Sequence, residues 1–176
     1  MFRDTSLKSI LFNLFVKKVA PFSNYNLPLS MIQSIDVEPI AVCDLKCSFC
    51  QVPGWDRAKN TRAMSFRLFK SIIDQFPNLK LVKLQGMGEP FLNKNIIDMI
   101  KYSSNKKITS FITTHGGRLS KKLINEIIDS QLDVIDFSFD GATKKTYENA
   151  RIGSDFSLVT KNNVDFQHHL NSLFII

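Results

Sequence analysis

The sequence has too few cysteines to be a disulfide-stapled domain. Its 176 residues include only three, and all three lie within the eight residues 43–50. An odd number of cysteines in so short a segment is a poor disulfide framework. Thiols grouped in this way indicate a metal ion or metal cluster in a reducing compartment. We therefore expect a cytoplasmic protein.

The sequence also lacks a long hydrophobic run. The apolar stretch 10–16 is too short to span a bilayer, which needs about 20 residues, and no small-residue cleavage site follows it. These absences argue against a transmembrane segment and a secretory signal. The net charge is +7, but the lysines are scattered in pairs at segment ends, which is typical of a solvated surface. No specific nucleic-acid signal is present.

Residues 1–30 are predicted to form an N-terminal amphipathic helix and a loop, separate from a core domain over residues 31–176. Apolar residues recur at helical spacing within 1–20, with lysines beside them. Such a helix either packs on the outside of the domain or lies on a membrane surface, and packing is the commoner case. Prolines and asparagines mark 21–30 as a loop.

Beyond this segment, predicted strands alternate with predicted helices. Strands are expected at about 34–42, 79–84, 108–113 and 134–139, with helices after Ser65, over 95–102, after Ser120 and over 143–164. This alternation predicts an α/β fold with a parallel sheet whose strands are apolar and buried on both faces. About four strand–helix units, plus the start of a fifth strand at 173–176, predict a partial TIM-like (βα) barrel. A full barrel needs about 250 residues, so we expect a truncated domain.

The cysteines have the spacing Cys43-x3-Cys47-x2-Cys50. Thiolates are the usual ligands of iron–sulfur clusters. Three cysteines would bind three irons of a cubane cluster and leave the fourth iron open to another ligand. The alternative is a structural zinc site with His115 as the fourth ligand.

The cysteine segment, with aromatic Phe49 before the third cysteine, resembles the cluster loop of the radical S-adenosylmethionine (SAM) superfamily. The resemblance implies a [4Fe-4S] cluster whose open iron binds SAM. It also implies reductive cleavage of SAM to a 5′-deoxyadenosyl radical, which abstracts hydrogen from an unknown substrate. An electron donor such as flavodoxin or ferredoxin would reduce the cluster, and the protein would position the cofactor and exclude water.

Segments at the other predicted strand ends resemble the same family in the same order. Gly86, Gly88, Glu89 and Pro90 match, with a shifted glycine, the family's Gly-Gly-Glu-Pro segment, which holds the methionine amino group of SAM. By physical chemistry, glycines permit close backbone approach and a carboxylate accepts from an ammonium. Taken alone, the segment is an ordinary Gly/Pro turn.

Two further segments complete the resemblance. Thr114 lies in a segment similar to the family's Thr-Asn-Gly, with His115 in place of the asparagine. Ser138 and Asp140 lie in a segment similar to Ser-x-Asp-Gly, whose polar side chains reach the ribose or carboxylate of SAM in relatives. Arg151 matches an arginine near the cofactor in SPASM-type relatives, which carry an additional C-terminal cluster domain.

Three hypotheses follow. The chain is the N-terminal part of a radical enzyme acting on a peptide, a sugar or a small metabolite; or it is a truncated, inactive chain that still binds a cluster; or it is a structural zinc module. The sequence identifies no segment that would contact a substrate.

Overall fold

The computed structural model describes residues 28–54 and 63–173. The helix predicted over residues 1–20 and most of the following loop lie outside these described residues. Leu29–Met31, at the start of the described chain, forms a short 3-10 turn.

Four parallel strands form one sheet in chain order. They are β1 (Ser34–Val37), β2 (Leu81–Leu84), β3 (Thr109–Thr114) and β4 (Val134–Phe137). The helices between and after them are α1 (Phe66–Ile73), α2 (Ile96–Asn105), α3 (Lys121–Asp129), α4 (Lys144–Ala150) and α5 (Phe156–Leu173). Parallel neighbours need a crossover connection, and a helix supplies each one. The predicted strand–helix alternation is confirmed.

Two helices begin at the serines expected to cap them. The Ser65 hydroxyl accepts from the Leu68 amide at 3.2 Å, and the Ser120 hydroxyl accepts from the Leu123 amide at the same distance. Each bond satisfies an amide that the first turn of a helix leaves unpaired. The capping residues therefore set where α1 and α3 begin.

Within residues 28–54 and 63–173, only one face of the sheet packs against apolar side chains, whereas strands buried on both faces were expected. Val82, Leu84 and Ile112 are fully buried beneath α1 and α2. On the opposite face Asp36 is exposed, and Lys83 and Thr113 are half-buried. The described helices pack against one side of the sheet. Because successive side chains of a strand point to opposite faces, alternate residues are buried against the helices and the others have polar surroundings.

Three boundaries differ from those predicted. β1 ends at Val37 rather than near 42, because Pro39 follows and has no amide to continue the ladder. The helical region predicted over 143–164 is two helices, broken near Gly153, whose φ of 94° is left-handed. Leu173 ends α5 rather than starting a fifth strand, and residues 174–176 lie outside the described chain.

Among the described residues, no helix has both the length and the apolar character needed to cross a membrane.

The core makes a direct stability prediction on α1. Phe69 is 0 % exposed, whereas its neighbour Leu68 is 42 % exposed. We expect Phe69→Ala to lower the free energy of unfolding by about 3–5 kcal/mol, because it removes buried contacts and leaves a cavity. Leu68→Ala, the matched control, should change it by about 0.5 kcal/mol or less. Urea unfolding followed by circular dichroism measures both, and equal losses would contradict this core.

Candidate functional site

The three cysteines lie on a loop, residues 43–50, beyond the carboxyl end of β1; we call it the cysteine loop. The amide of Cys50 donates to the carbonyl of Cys47 at 3.0 Å, closing a turn with those two residues at its ends. The amide of Leu45 donates to Cys43 Sγ at 3.4 Å. The two-residue spacing thus places Cys47 and Cys50 in one turn. The buried side chain of Leu45 anchors the segment that follows Cys43.

The cysteine loop is held on both sides. Lys46 donates its amide to the carbonyl of Ile152 at 2.8 Å, and Ser48 donates to the carbonyl of Ala150 at 3.0 Å. Just before the loop, the carbonyl of Val42 accepts from the amide of Glu89 at 2.9 Å. The loop therefore lies between the α4–α5 junction and the segment that follows β2.

All three cysteines are free and partly buried. Burial raises the pKa of the Cys43 thiol to about 11, and the neighbouring charge of Asp44 adds to this. Burial also raises the pKa of Cys47, although the nearby Arg151 opposes the rise. These two thiols are therefore protonated in the metal-free chain at neutral pH, and a metal centre must displace their protons as it binds.

Glu89 is 2 % exposed, and its carboxylate is fully engaged inside the protein. Its Oε1 accepts from the Phe91 amide at 3.1 Å and from the Thr114 hydroxyl at 2.8 Å. Its Oε2 accepts from the His115 amide at 3.1 Å. The side chain thus joins the end of β2 to the end of β3, and a contact between Glu89 and the cofactor stays a prediction.

The glycines beside Glu89 allow two loops to approach closely. A Cβ at Gly88 would lie 2.1 Å from the carbonyl oxygen of Ile40, and one at Gly86 would lie 2.4 Å from Cγ of Glu38. The Glu38 carboxylate also accepts from the amide of Met87 at 2.7 Å. Pro90, which is buried, begins a short 3-10 turn over Pro90–Leu92. The backbone here contacts the segment after β1, for which only glycine leaves room.

Asp140 and Arg151 lie together beside Phe49 of the cysteine loop. Arg151 forms an ion pair with Asp140, and its guanidinium carbon is 5.9 Å from the centroid of the Phe49 ring. Phe49 is 60 % exposed. Arg151 Nε is buried and has no hydrogen-bond partner among residues 28–54 and 63–173, which is rare for a charged donor. Ser138 is half-buried and donates its amide to the carbonyl of Thr114 at 2.9 Å.

These features fit an iron–sulfur cluster. The donor set is three soft thiols on one loop, and the sequence holds no fourth cysteine. A cation, Arg151, lies near Cys47 and would favour an anionic group there. Its buried Nε, which has no partner among the described residues, could donate to such a group.

Sequence reasoning missed the role of Asp44, Arg118 and Glu38. Burial alone would raise the pKa of Asp44, but hydrogen bonds from Arg118 and His115 outweigh burial and hold it below its usual value. Arg118 and His115 follow Asp44 by more than seventy positions. Neither spacing nor periodicity carries a signal for such contacts, so only the folded chain could reveal them.

The residues of the zinc alternative also come together in part. One donor atom from each of Cys43, Asp44 and His115 lies within 4.8 Å of the other two. His115 is buried rather than solvated, which the sequence left undecided.

Comparison with known proteins places this geometry in a family. A family model described as the radical SAM superfamily matches residues 37–164. A cofactor-modifying protein for tungsten-containing aldehyde ferredoxin oxidoreductase from Pyrococcus furiosus is 29 % identical over 101 residues, covering 56 % of this chain and 28 % of the relative. A probable GTP 3′,8-cyclase from Methanococcus maripaludis is 24 % identical over 131 residues, covering 74 % and 44 %. The chain thus spans less than half the length of these two relatives.

A solved structure shows the same fold. The crystal structure of Streptococcus suis SuiB bound to its precursor peptide SuiA superposes with a TM-score of 0.68, at 20 % sequence identity. The match covers 96 % of this chain and 37 % of SuiB. The α/β architecture expected from the sequence, a partial parallel barrel, is therefore confirmed.

The tight backbone approach at Gly88 predicts a steric penalty. Gly88→Ala should lower the free energy of unfolding by about 1–3 kcal/mol or more, because the added Cβ overlaps the Ile40 carbonyl and backbone must shift. Gly54→Ala is the matched control, since a Cβ there meets no atom within 4 Å. Urea titration of the two variants checks this. Equal stability in both would show that the two loops do not approach as described.

The raised thiol pKa predicts how Cys43 reacts in the metal-free chain. Iodoacetamide should modify Cys43 at a rate that keeps rising to about pH 11, whereas in the urea-unfolded chain the rate should level off near pH 9.0, the ordinary pKa of a cysteine thiol. Between about pH 9 and pH 11 the Cys43 thiol loses its proton in the unfolded chain but keeps it in the folded chain. The free energy of unfolding should therefore fall as the pH rises through this range. Peptide-resolved mass spectrometry measures the rate, and a plateau near pH 9 in the folded chain would contradict the burial effect.

Proposed function

The chain belongs to the radical SAM superfamily, whose cofactors are a [4Fe-4S] cluster and SAM, and from that premise we propose that Cys43, Cys47 and Cys50 ligate the cluster. The observation that carries the proposal is the arrangement of the thiols. One loop at the carboxyl ends of the strands presents all three, and backbone hydrogen bonds hold that loop on both sides. Chemistry sits at this end of parallel barrels.

A cluster held by Cys43, Cys47 and Cys50 would supply the electron for reductive cleavage of SAM, the source of the radical chemistry that abstracts hydrogen from a substrate. The chain's part is to bind, orient and shield. Cys43 and Cys47 give up protons on binding, and their partial burial limits access of water to the site. Arg151 places a fixed positive charge near Cys47.

The predicted cofactor-binding residues divide into two groups by their contacts. Four of these residues lie on or beside the cysteine loop or at the end of β4, and we propose that they face SAM: Phe49, Ser138, Asp140 and Arg151. The other five hold together the loops that shape the site, and we propose that they position the backbone of these loops: Gly86, Gly88, Glu89, Pro90 and Thr114. The unpaired Nε of Arg151 and the exposed ring of Phe49 support the first assignment.

The substrate, the electron donor and the compartment are part of the same proposal. We propose a peptide, a sugar or a small metabolite as substrate, with flavodoxin or ferredoxin as electron donor, in the cytoplasm. The structure of SuiB holds a peptide, and the name of the methanococcal relative indicates a nucleotide. Relatives thus span more than one of these classes.

A zinc site is the second candidate, favoured by the proximity of Cys43, Asp44 and His115. Three hydrogen bonds argue against it. Both ring nitrogens of His115 and both carboxylate oxygens of Asp44 already have protein partners. The arrangement also leaves Cys47 and Cys50 without a role.

Anaerobic reconstitution of the full chain with iron and sulfide tests the proposal. We expect about four irons and four sulfides per chain and a broad visible absorption band. The Cys43→Ala, Cys47→Ala, Cys50→Ala variant should lose both, while Ser48→Ala, a change at a non-ligand position of the same loop, should keep them. One zinc per chain without iron uptake would overturn the proposal. Release of 5′-deoxyadenosine from SAM under reducing conditions separates an active chain from one that only binds the cluster.

A further inference from the structure

Asp44 lies between the first two cysteines, and both of its carboxylate oxygens are held by residues that follow β3. The Oδ1 atom lies 3.0 Å from Nε2 of His115, and Oδ2 accepts from Nη1 of Arg118 at 2.7 Å. Asp44 is joined by one peptide to Cys43, and the next amide, that of Leu45, donates to Cys43 Sγ. The position of the Asp44 side chain therefore affects the surroundings of the first thiol.

The His115 ring has a defined orientation. Its Nδ1 accepts from the amide of Gly117 at 3.0 Å, so the ring proton is on Nε2. That N–H is directed at Asp44 Oδ1, with Oε2 of Glu89 also nearby at 3.3 Å. The same Glu89 oxygen accepts from the backbone amide of His115. His115 thus joins the cysteine loop to the carboxylate that connects β2 and β3.

Of the two contacts to Asp44, the one from His115 is the better placed to hold the loop. The side chain of Arg118 is 42 % exposed, and water and salt weaken an ion pair in that setting. The side chain of His115 is only 5 % exposed, although the Asp44 side chain that it contacts is 37 % exposed. A hydrogen bond from a buried donor to a charged group is stronger and more directional than one from an exposed side chain.

We infer that His115 is a positioning residue: through its Nε2–H and the carboxylate of Asp44, it holds the Cys43 side of the cysteine loop in the geometry that binds the cluster. This inference rests on the proposed function. It assigns a role to His115, at a position where the family that the sequence resembles has asparagine. Groups that orient the ligands of a metal centre commonly change metal affinity by about 10- to 100-fold.

The sizes of the side chains provide a specific test. An asparagine amide ends at about the position of the histidine Nδ1 and cannot reach Asp44 in the same way. The amide nitrogen of glutamine lies close to the position of Nε2 and can donate there. His115→Gln should therefore keep much of the function, whereas His115→Asn and His115→Ala should lose it.

The experiment compares the reconstituted wild-type chain with these three variants. For the Asn and Ala variants, we expect the chelator concentration that removes half of the cluster iron to fall about 10- to 100-fold, with partial recovery in His115→Gln. The EPR spectrum of the reduced cluster should change in the same order. Arg118→Ala should have a smaller effect. His168→Ala, at an exposed histidine of α5, should behave as wild type.

A second measurement needs no cluster. Urea unfolding of the metal-free His115→Ala, Asp44→Ala and double variants forms a double-mutant cycle, and the two changes should be non-additive. Circular dichroism confirms that each variant is folded. If His115→Ala does not fold, the chelator resistance of His115→Gln compared with that of His115→Asn tests the inference.

Three results would overturn the inference: chelator resistance in the Asn variant equal to wild type, no recovery in the Gln variant, or additive effects in the cycle. A wild-type chain that takes up no iron would instead overturn the proposed function. In that case the cycle still tests whether His115 and Asp44 are coupled.

Discussion

The buried carboxylate of Glu89 is the constraint on which the rest of the site depends. A carboxylate removed from water must have its oxygens satisfied by the protein, because an unpaired buried charge is very costly. Here the donors come from Phe91, Thr114 and His115, which fixes the ends of β2 and β3 relative to one another. The amide of Glu89 in turn binds the carbonyl of Val42, directly before the cysteines.

The cysteine loop is short and polar, so it cannot hold its shape through a core of its own. Its shape comes from partners that are distant in sequence. The carbonyls of Ala150 and Ile152 accept from it on one side, and His115 contacts Asp44 on the other. Such preorganisation reduces the conformational entropy lost when a ligand binds. The loop that carries the three cysteines is therefore held by these partners in the metal-free chain.

Much of the fold could be predicted because local chemistry determines it. Ser65 and Ser120 cap the helices that were expected after them, and the four strands lie at the expected places. The features that could not be predicted depend on tertiary packing or on the backbone conformation of a single residue. The polar face of the sheet arises because the described helices cover one side only, and the division of the last helical region depends on a left-handed Gly153.

The element order, the family and a cysteine spacing suited to a cluster could all be read from the chain, because they are properties of neighbouring residues. Which polar groups pair with one another depends instead on the folded arrangement. Glu89 is turned inward, Asp140 is paired with Arg151, and Asp44 is held by His115. Those pairings depend on which strand ends meet, and for Glu89, which is buried, an unpaired carboxylate would be very costly.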